Sequence, residues 1–152
     1  MFSEAHKFMD RALVLAEKAK TMGEVPVGAV LVYEDRILFE NHNRMRQYAL
    51  PWAHAELLVL KAAHRLLKTY YLLECSLYVT LEPCSMCASA LALSRLKTVC
   101  FGAYDPKHGG IEHGARVFDE KSHFYKPKIL LAGVRAHACE KLLKTFFSCK
   151  RE

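Results

Sequence analysis

From the start of the chain, apolar residues recur at intervals of three and four. Ala5, Phe8, Ala12, Leu15 and Ala19 fall on one face of a helix over 3–21, which Gly23 and Pro26 bring to an end. The period then changes. The apolar, Val-rich run 27–33 reads as a buried strand, Glu34-Asp35 as a turn and 36–40 as a returning strand, which together make a hairpin. Residues 41–53 are polar and irregular, and 54–68 return to a helical pattern. A third strand is predicted over 77–81. A helix over 84–94 follows, opened by Pro83, a residue favoured at helix starts. Residues 97–102 read as a fourth strand, the Pro- and Gly-rich stretch 103–114 as a loop, and 115–121 as a short helix. A fifth strand over 128–132 and a closing helix over 136–149 complete the chain. An antiparallel hairpin followed by alternating strands and helices predicts a three-layer α/β/α fold around a mixed five-stranded sheet.

Composition sets the scale of that fold. A chain of 152 residues, 52% hydrophobic and 25% charged, suits a single domain spanning 1–152 with one substantial core, and disorder is excluded. The longest apolar run, 25–33, is far short of the roughly 20 residues of a spanning helix. The N-terminus is charged from residue 4 and lacks the apolar core of a signal segment. A cytoplasmic protein with no membrane partner is therefore expected. Residues 121–152 carry eight Lys or Arg against two Glu, which accounts for the whole net charge of +6. A basic end suits a polyanion such as nucleic acid. A solvated helix with a basic tail has the same composition, so charge alone leaves both readings open.

Two short motifs carry the chemistry. Of six cysteines, Cys75, Cys100 and Cys139 lie in strand-like or helix-like runs and read as small buried thiols. Cys84 and Cys87 alone have metal-binding spacing. A C-x-x-C pair at a helix start sets both sulfurs on one face, and the helix dipole favours thiolates there. A redox role needs no distant His-x-Glu, and a closed structural zinc site needs a second ligand pair. His54, thirty residues upstream of Cys84 and followed by Glu56, supplies neither a second pair nor a redox partner. One His and two Cys give three ligands for a single Zn²⁺ and leave the fourth position to water, which is the catalytic pattern. Zinc lowers the pKa of its water toward about 7. Glu56, two residues from His54, is of the right type to accept that water's proton and later donate it. H-x-E followed by P-C-x-x-C is the signature of zinc-dependent nucleobase deaminases.

Over nearly the whole chain, from about residue 5 to 150, the sequence resembles the bacterial tRNA adenosine deaminases, which convert wobble adenosine to inosine. The likeness rests on Gly23–Val32, Asn43-Arg44, His54-Ala55-Glu56, Leu77–Cys87, Phe101-Gly102-Ala103, Asp105-Pro106-Lys107 and Phe146-Phe147. The resemblance implies a cytidine deaminase-like fold and hydrolytic deamination, with Glu56 as proton shuttle. It implies that Asn43 hydrogen-bonds the flipped base and its ribose, that Val27 and Leu81 line the base pocket, and that the Ala55 N–H meets the C6 substituent. Asp105 and Lys107 would meet the RNA backbone. The 84–95 helix would contribute to a homodimer, and the partner would be a tRNA anticodon stem-loop. Leu50-Pro51-Trp52, Tyr104 and the stretch 108–114 depart from the family pattern; these positions fall in loops that read the RNA around the base. His108 and His113 read as solvated loop histidines. The main rival is a deaminase of a free base or nucleotide such as guanine, cytosine or deoxycytidylate, which would use the same metal site. A non-enzymatic RNA-binding subunit would be expected to lack Glu56.

Overall fold

In the computed structural model, which describes residues 2–151, the chain builds one mixed sheet with helices on both faces. The elements are α1 (Phe2–Thr21), β1 (Gly28–Tyr33), β2 (Arg36–His42), α2 (Met45–Tyr48), α3 (Ala55–Leu67), β3 (Ser76–Leu81), α4 (Ser85–Leu93), β4 (Thr98–Ala103), β5 (Ile129–Ala132) and α5 (Ala136–Arg151). The strand order is β2-β1-β3-β4-β5. β1 is antiparallel to both β2 and β3, whereas β3, β4 and β5 run parallel. The three-layer mixed sheet predicted from the alternation of elements is the observed architecture.

Alternation along the central strands divides the core in two. Ala29 and Leu31 of β1, Leu77 and Val79 of β3 and Val99 and Phe101 of β4 point to the face covered by α3 and α4. Their neighbours Val30, Val32, Tyr78 and Cys100 point to the face covered by α1 and α5. Side chains that alternate across a strand feed both layers in this way, so the central strands are apolar throughout and not amphipathic. The α1 stripe Ala5, Phe8, Ala12, Leu15 and Ala19 is buried as predicted. Gly28 allows the close approach of that helix, because a Cβ there would stand 2.1 Å from the Ala12 carbonyl oxygen.

Cys75, Cys100 and Cys139 are buried free thiols. Glu34 and Asp35 both take left-handed φ, 48° and 61°, the conformation of a tight two-residue hairpin turn. Two local expectations are corrected. The irregular stretch 41–53 contains the short helix α2, and β2 runs on to His42, which pairs with Gly28. The short helix expected over 115–121 does not form. Arg116 sits at φ 46°, and Asp119 N–H and Ser122 N–H close separate turns on Arg116 and Asp119. No helix among the described residues is long and apolar enough to cross a membrane. Of the basic terminal segment, the Arg151 side chain and Glu152 lie outside the described residues.

Candidate active site

Two helix N-termini meet at the C-terminal end of the parallel strands, where α/β sheets place their sites. His54 is the N-cap of α3 and Cys84 the N-cap of α4, both in extended backbone conformation. Their carbonyls begin the helices by accepting Leu58 N–H and Ala88 N–H. Cys87 lies one turn into α4 and is fully buried. His54 Nδ1 stands 3.7 Å from Cys84 Sγ and 3.4 Å from Cys87 Sγ, and the three ligand atoms all lie within 4.8 Å of one another. An imidazole nitrogen and a thiolate on one tetrahedral zinc stand about 3.5 Å apart, given bond lengths near 2.0 and 2.3 Å. The donor set and its spacing therefore fit zinc.

The electrostatics agree with that fit. The Cys84 thiol is pulled down to about 4, chiefly by a hydrogen bond from Cys87 and further by His54, against the opposing effect of burial. Cys87 is pushed up by the same hydrogen bond, by burial and by the nearby Glu56. A bound cation would favour the thiolate form of both sulfurs. His54 is raised, first by its hydrogen bond with Cys84. Glu56, in the first turn of α3, is only 4% exposed, and burial raises its carboxyl against the pull of its own backbone N–H and of His54.

His54, Glu56 and Cys84 face a cavity of about 550 Å³. Glu56, His54 and Cys84 form its floor; Val27, Asn43 and Leu81 line it; and Asp105, Lys107 and His108 come from the loop after β4. Of the substrate-contact residues expected from the sequence, Ala55 alone does not line the cavity. It is fully buried and its N–H donates to Asn43 Oδ1 at 2.9 Å. Asn43 also donates from Nδ2 to the Val25 carbonyl at 3.2 Å, so its amide plane is fixed from two sides. Asp105 turns Oδ1 back onto Lys107 N–H and His108 N–H and closes its own turn, with Lys107 beside it on the cavity wall.

Several lining residues have no pocket role predicted from the sequence. Val25 comes from the loop before β1, Met45 opens α2, Tyr104 follows β4, and Leu143 and Phe147 reach the cavity from α5. Two buried acids also belong to the site. Glu24, 1% exposed, accepts Arg46 N–H and Gln47 N–H at 3.0 and 2.9 Å and so holds the start of α2 beside Asn43. Glu82 binds the loop that follows β4, and the supposedly solvated His113 is one of its partners at 2.9 Å. Each acid accepts backbone N–H groups from a distant loop, a role with no local sequence pattern.

The model of the cytidine and deoxycytidylate deaminase zinc-binding region matches residues 2–103. The chain is 44% identical over 147 residues to the tRNA-specific adenosine deaminase of Haemophilus influenzae, covering 96% of this chain and 84% of that protein. With the tRNA-specific adenosine deaminase of Aquifex aeolicus it shares 47% over 121 residues, 80% of each chain. A solved structure from work on A-to-I editing by tRNA:A34 deaminases superposes with a TM-score of 0.85 at 39% identity, covering 90% of this chain and 99% of that one. The guanine deaminase of Bacillus subtilis matches less fully, with a TM-score of 0.61 and 36% identity over 64% of this chain and 63% of that one.

Proposed function

Because the chain belongs to the zinc-binding cytidine and deoxycytidylate deaminase family and, within it, to the tRNA-specific adenosine deaminases, we propose that it converts wobble adenosine to inosine in a tRNA anticodon loop. The enzyme is a hydrolytic deaminase. The observation that supports the residue assignment best is one cavity lined by His54, Cys84, the buried Glu56 and the fixed amide of Asn43, with Cys87 buried behind it in the same cluster. We assign one Zn²⁺ per chain to His54, Cys84 and Cys87. When bound, the metal would make a water acidic enough to attack at neutral pH.

The remaining chemistry belongs to the chain's own residues. Glu56 takes a proton from the attacking water and delivers it to N1 as oxygen adds to C6 of adenine. It then takes the new hydroxyl's proton and passes it to the amine, whose bond to C6 breaks, leaving inosine and ammonia. Val27 and Leu81 hold the base plane between apolar walls. Asn43 has one amide hydrogen and one lone pair beyond its two observed bonds, and these read base and ribose. The Ala55 N–H, expected to meet the C6 substituent, is committed to Asn43 Oδ1 and orients that amide instead. Lys107, on a turn shaped by Asp105, meets the RNA backbone. A loop adenosine is already close to single-stranded, so extruding it costs only a few kcal/mol.

The rest of the assembly follows the same reading. The single deaminase domain spans 1–152, and the cytoplasm is its compartment. Two copies pair through the outer face of α4 and its surroundings, where Met86, Leu93, Tyr70 and Phe124 are exposed apolar residues.

The decisive assay offers zinc-loaded protein an anticodon stem-loop with wobble adenosine and, separately, free adenosine, guanine and cytosine. Inosine is expected in the RNA alone. Turnover restricted to a free base would instead establish the small-molecule deaminase.

A further inference from the structure

Glu82 is a buried acid of this pocket that stands outside both the metal-ligand set and the proton path. Its side chain is fully covered, yet five donors from one loop converge on it. Oε1 accepts Asp105 N–H at 3.1 Å and lies 2.9 Å from His113 Nδ1. Oε2 accepts Ile111 N–H, Glu112 N–H and His113 N–H at 3.2, 3.0 and 3.2 Å. Burial of the carboxylate is thereby offset, since an anion taking several backbone N–H bonds is well satisfied.

The same loop is pressed against the joint between β3 and α4. Gly110 N–H donates to the Pro83 carbonyl at 2.8 Å, and Gly109 forms a bridge with Cys84. A Cβ on Gly109 would stand 2.3 Å from Glu82 Oε2, and one on Gly110 would stand 2.5 Å from Ser85 N. Glycine is thus the residue that fits at both positions. At the near end of this loop, Asp105, Lys107 and His108 line the cavity mouth.

We propose that Glu82 is a positioning residue for RNA recognition: it fixes the 105–113 loop, and with it Lys107 and His108, against the segment that presents Cys84. The inference rests on the tRNA reading and deepens it, because the loop so held is the part of the mouth that a nucleic-acid backbone meets beyond the base pocket. A carboxylate is required because it offers two acceptor oxygens and no donor. A glutamine would turn an N–H₂ toward backbone N–H groups and leave several of them unpaired.

The test compares wild type, Glu82→Gln and His113→Ala by zinc content, by kcat and KM on the wobble-adenosine stem-loop, and by amide hydrogen exchange. For Glu82→Gln, exchange at 105, 111, 112 and 113 should accelerate and KM should rise about tenfold. Zinc content should be unchanged and kcat should stay within about threefold. A purely structural role would lower stability without this split between KM and kcat. Zinc loss, or a fall in kcat at constant KM, would move Glu82 into the metal site and overturn the proposal. Unchanged KM and exchange would overturn it as well.

Should Glu82→Gln fail to fold, His113→Ala removes one donor of the five and should raise KM about threefold at constant zinc; a flat KM there also overturns the proposal. Glu24→Gln is the control for the exchange readout, and it should release the amides of 46 and 47 while leaving 105–113 protected. A wild-type enzyme that leaves the stem-loop unmodified would sink the tRNA reading, and the exchange data would still decide whether Glu82 holds the loop.

Discussion

Glu56 and Glu82 are both buried acids at the same cavity, 4% and 2% exposed, but their surroundings give them opposite tasks. Glu82 spends both oxygens on five donors of one loop, whereas Glu56 faces the metal cluster. Glu56→Ala is expected to retain one zinc per chain, measured by metal analysis, while turnover falls by about 10³-fold or more, as for loss of a proton-transfer group. Activity within tenfold of wild type would end its assignment as the shuttle. Cys87→Ala should do the reverse of Glu56→Ala and lose the metal first. The stoichiometry should drop well below one and the Tm should fall, because metal binding is coupled to folding. The clustering of His54, Cys84 and Cys87 was legible in the sequence, because their spacing is local to two helix starts and the chemistry admits few other residue types. Glu24, Glu82 and the role of His113 were not legible. A carboxylate that satisfies the backbone of a loop 22 to 31 residues away depends on where that loop folds back, which no periodicity records.

At the scale of elements, the hydrophobic periods placed all five strands and the four long helices, because each buries a face against the sheet. They missed features set by distant partners. β2 continues through Asn41 and His42 because Gly28 pairs with His42 across the ladder, although its polar end reads as loop. α2 forms where Glu24, more than twenty residues earlier, accepts the N–H groups of its first turn. The reverse error at 115–121 arises because Arg116 is left-handed, which stops a helix before it nucleates. The contact between α1 and β1 gives an element-scale prediction. Gly28→Ala places a methyl group against the Ala12 carbonyl and the Ala16 nitrogen, so α1 must lift from the sheet. A loss of about 3 kcal/mol is expected, at the upper end for an overpacked core, read as a lower midpoint in denaturant with unchanged zinc content. A change under about 0.5 kcal/mol would mean that α1 is held less tightly than the geometry implies.

At the scale of the whole molecule, two surfaces remain for macromolecular partners, and each gives its own measurement. On the α4 side, Leu93 is 67% exposed within the face assigned to pairing. If two copies pair through this face as proposed, wild type should sediment as a dimer at micromolar concentration and Leu93→Arg as a monomer without loss of zinc; a monomeric wild type would overturn the pairing, and a variant that stays dimeric would place it elsewhere. On the cavity side, the basic end of the chain can be divided by helical geometry. α5 turns by about 100° per residue, and Leu143 and Phe147 mark the face that lines the cavity. Lys150, three residues beyond Phe147 and packed over the Phe146 ring at 4.9 Å, falls on that face. Lys141 lies about half a turn away from it. If the basic tail is an RNA contact and not merely a solvated helix, the two lysines must therefore differ. Lys150→Ala should weaken stem-loop binding and reduce the slope of log affinity against log salt by about 0.7, the value for one phosphate on a single strand. Lys141→Ala should leave both quantities within error. Equal effects of the two would reduce the tail to a diffuse charge with no defined track for RNA, and no effect from either would place the phosphate contacts on the Lys107 loop instead.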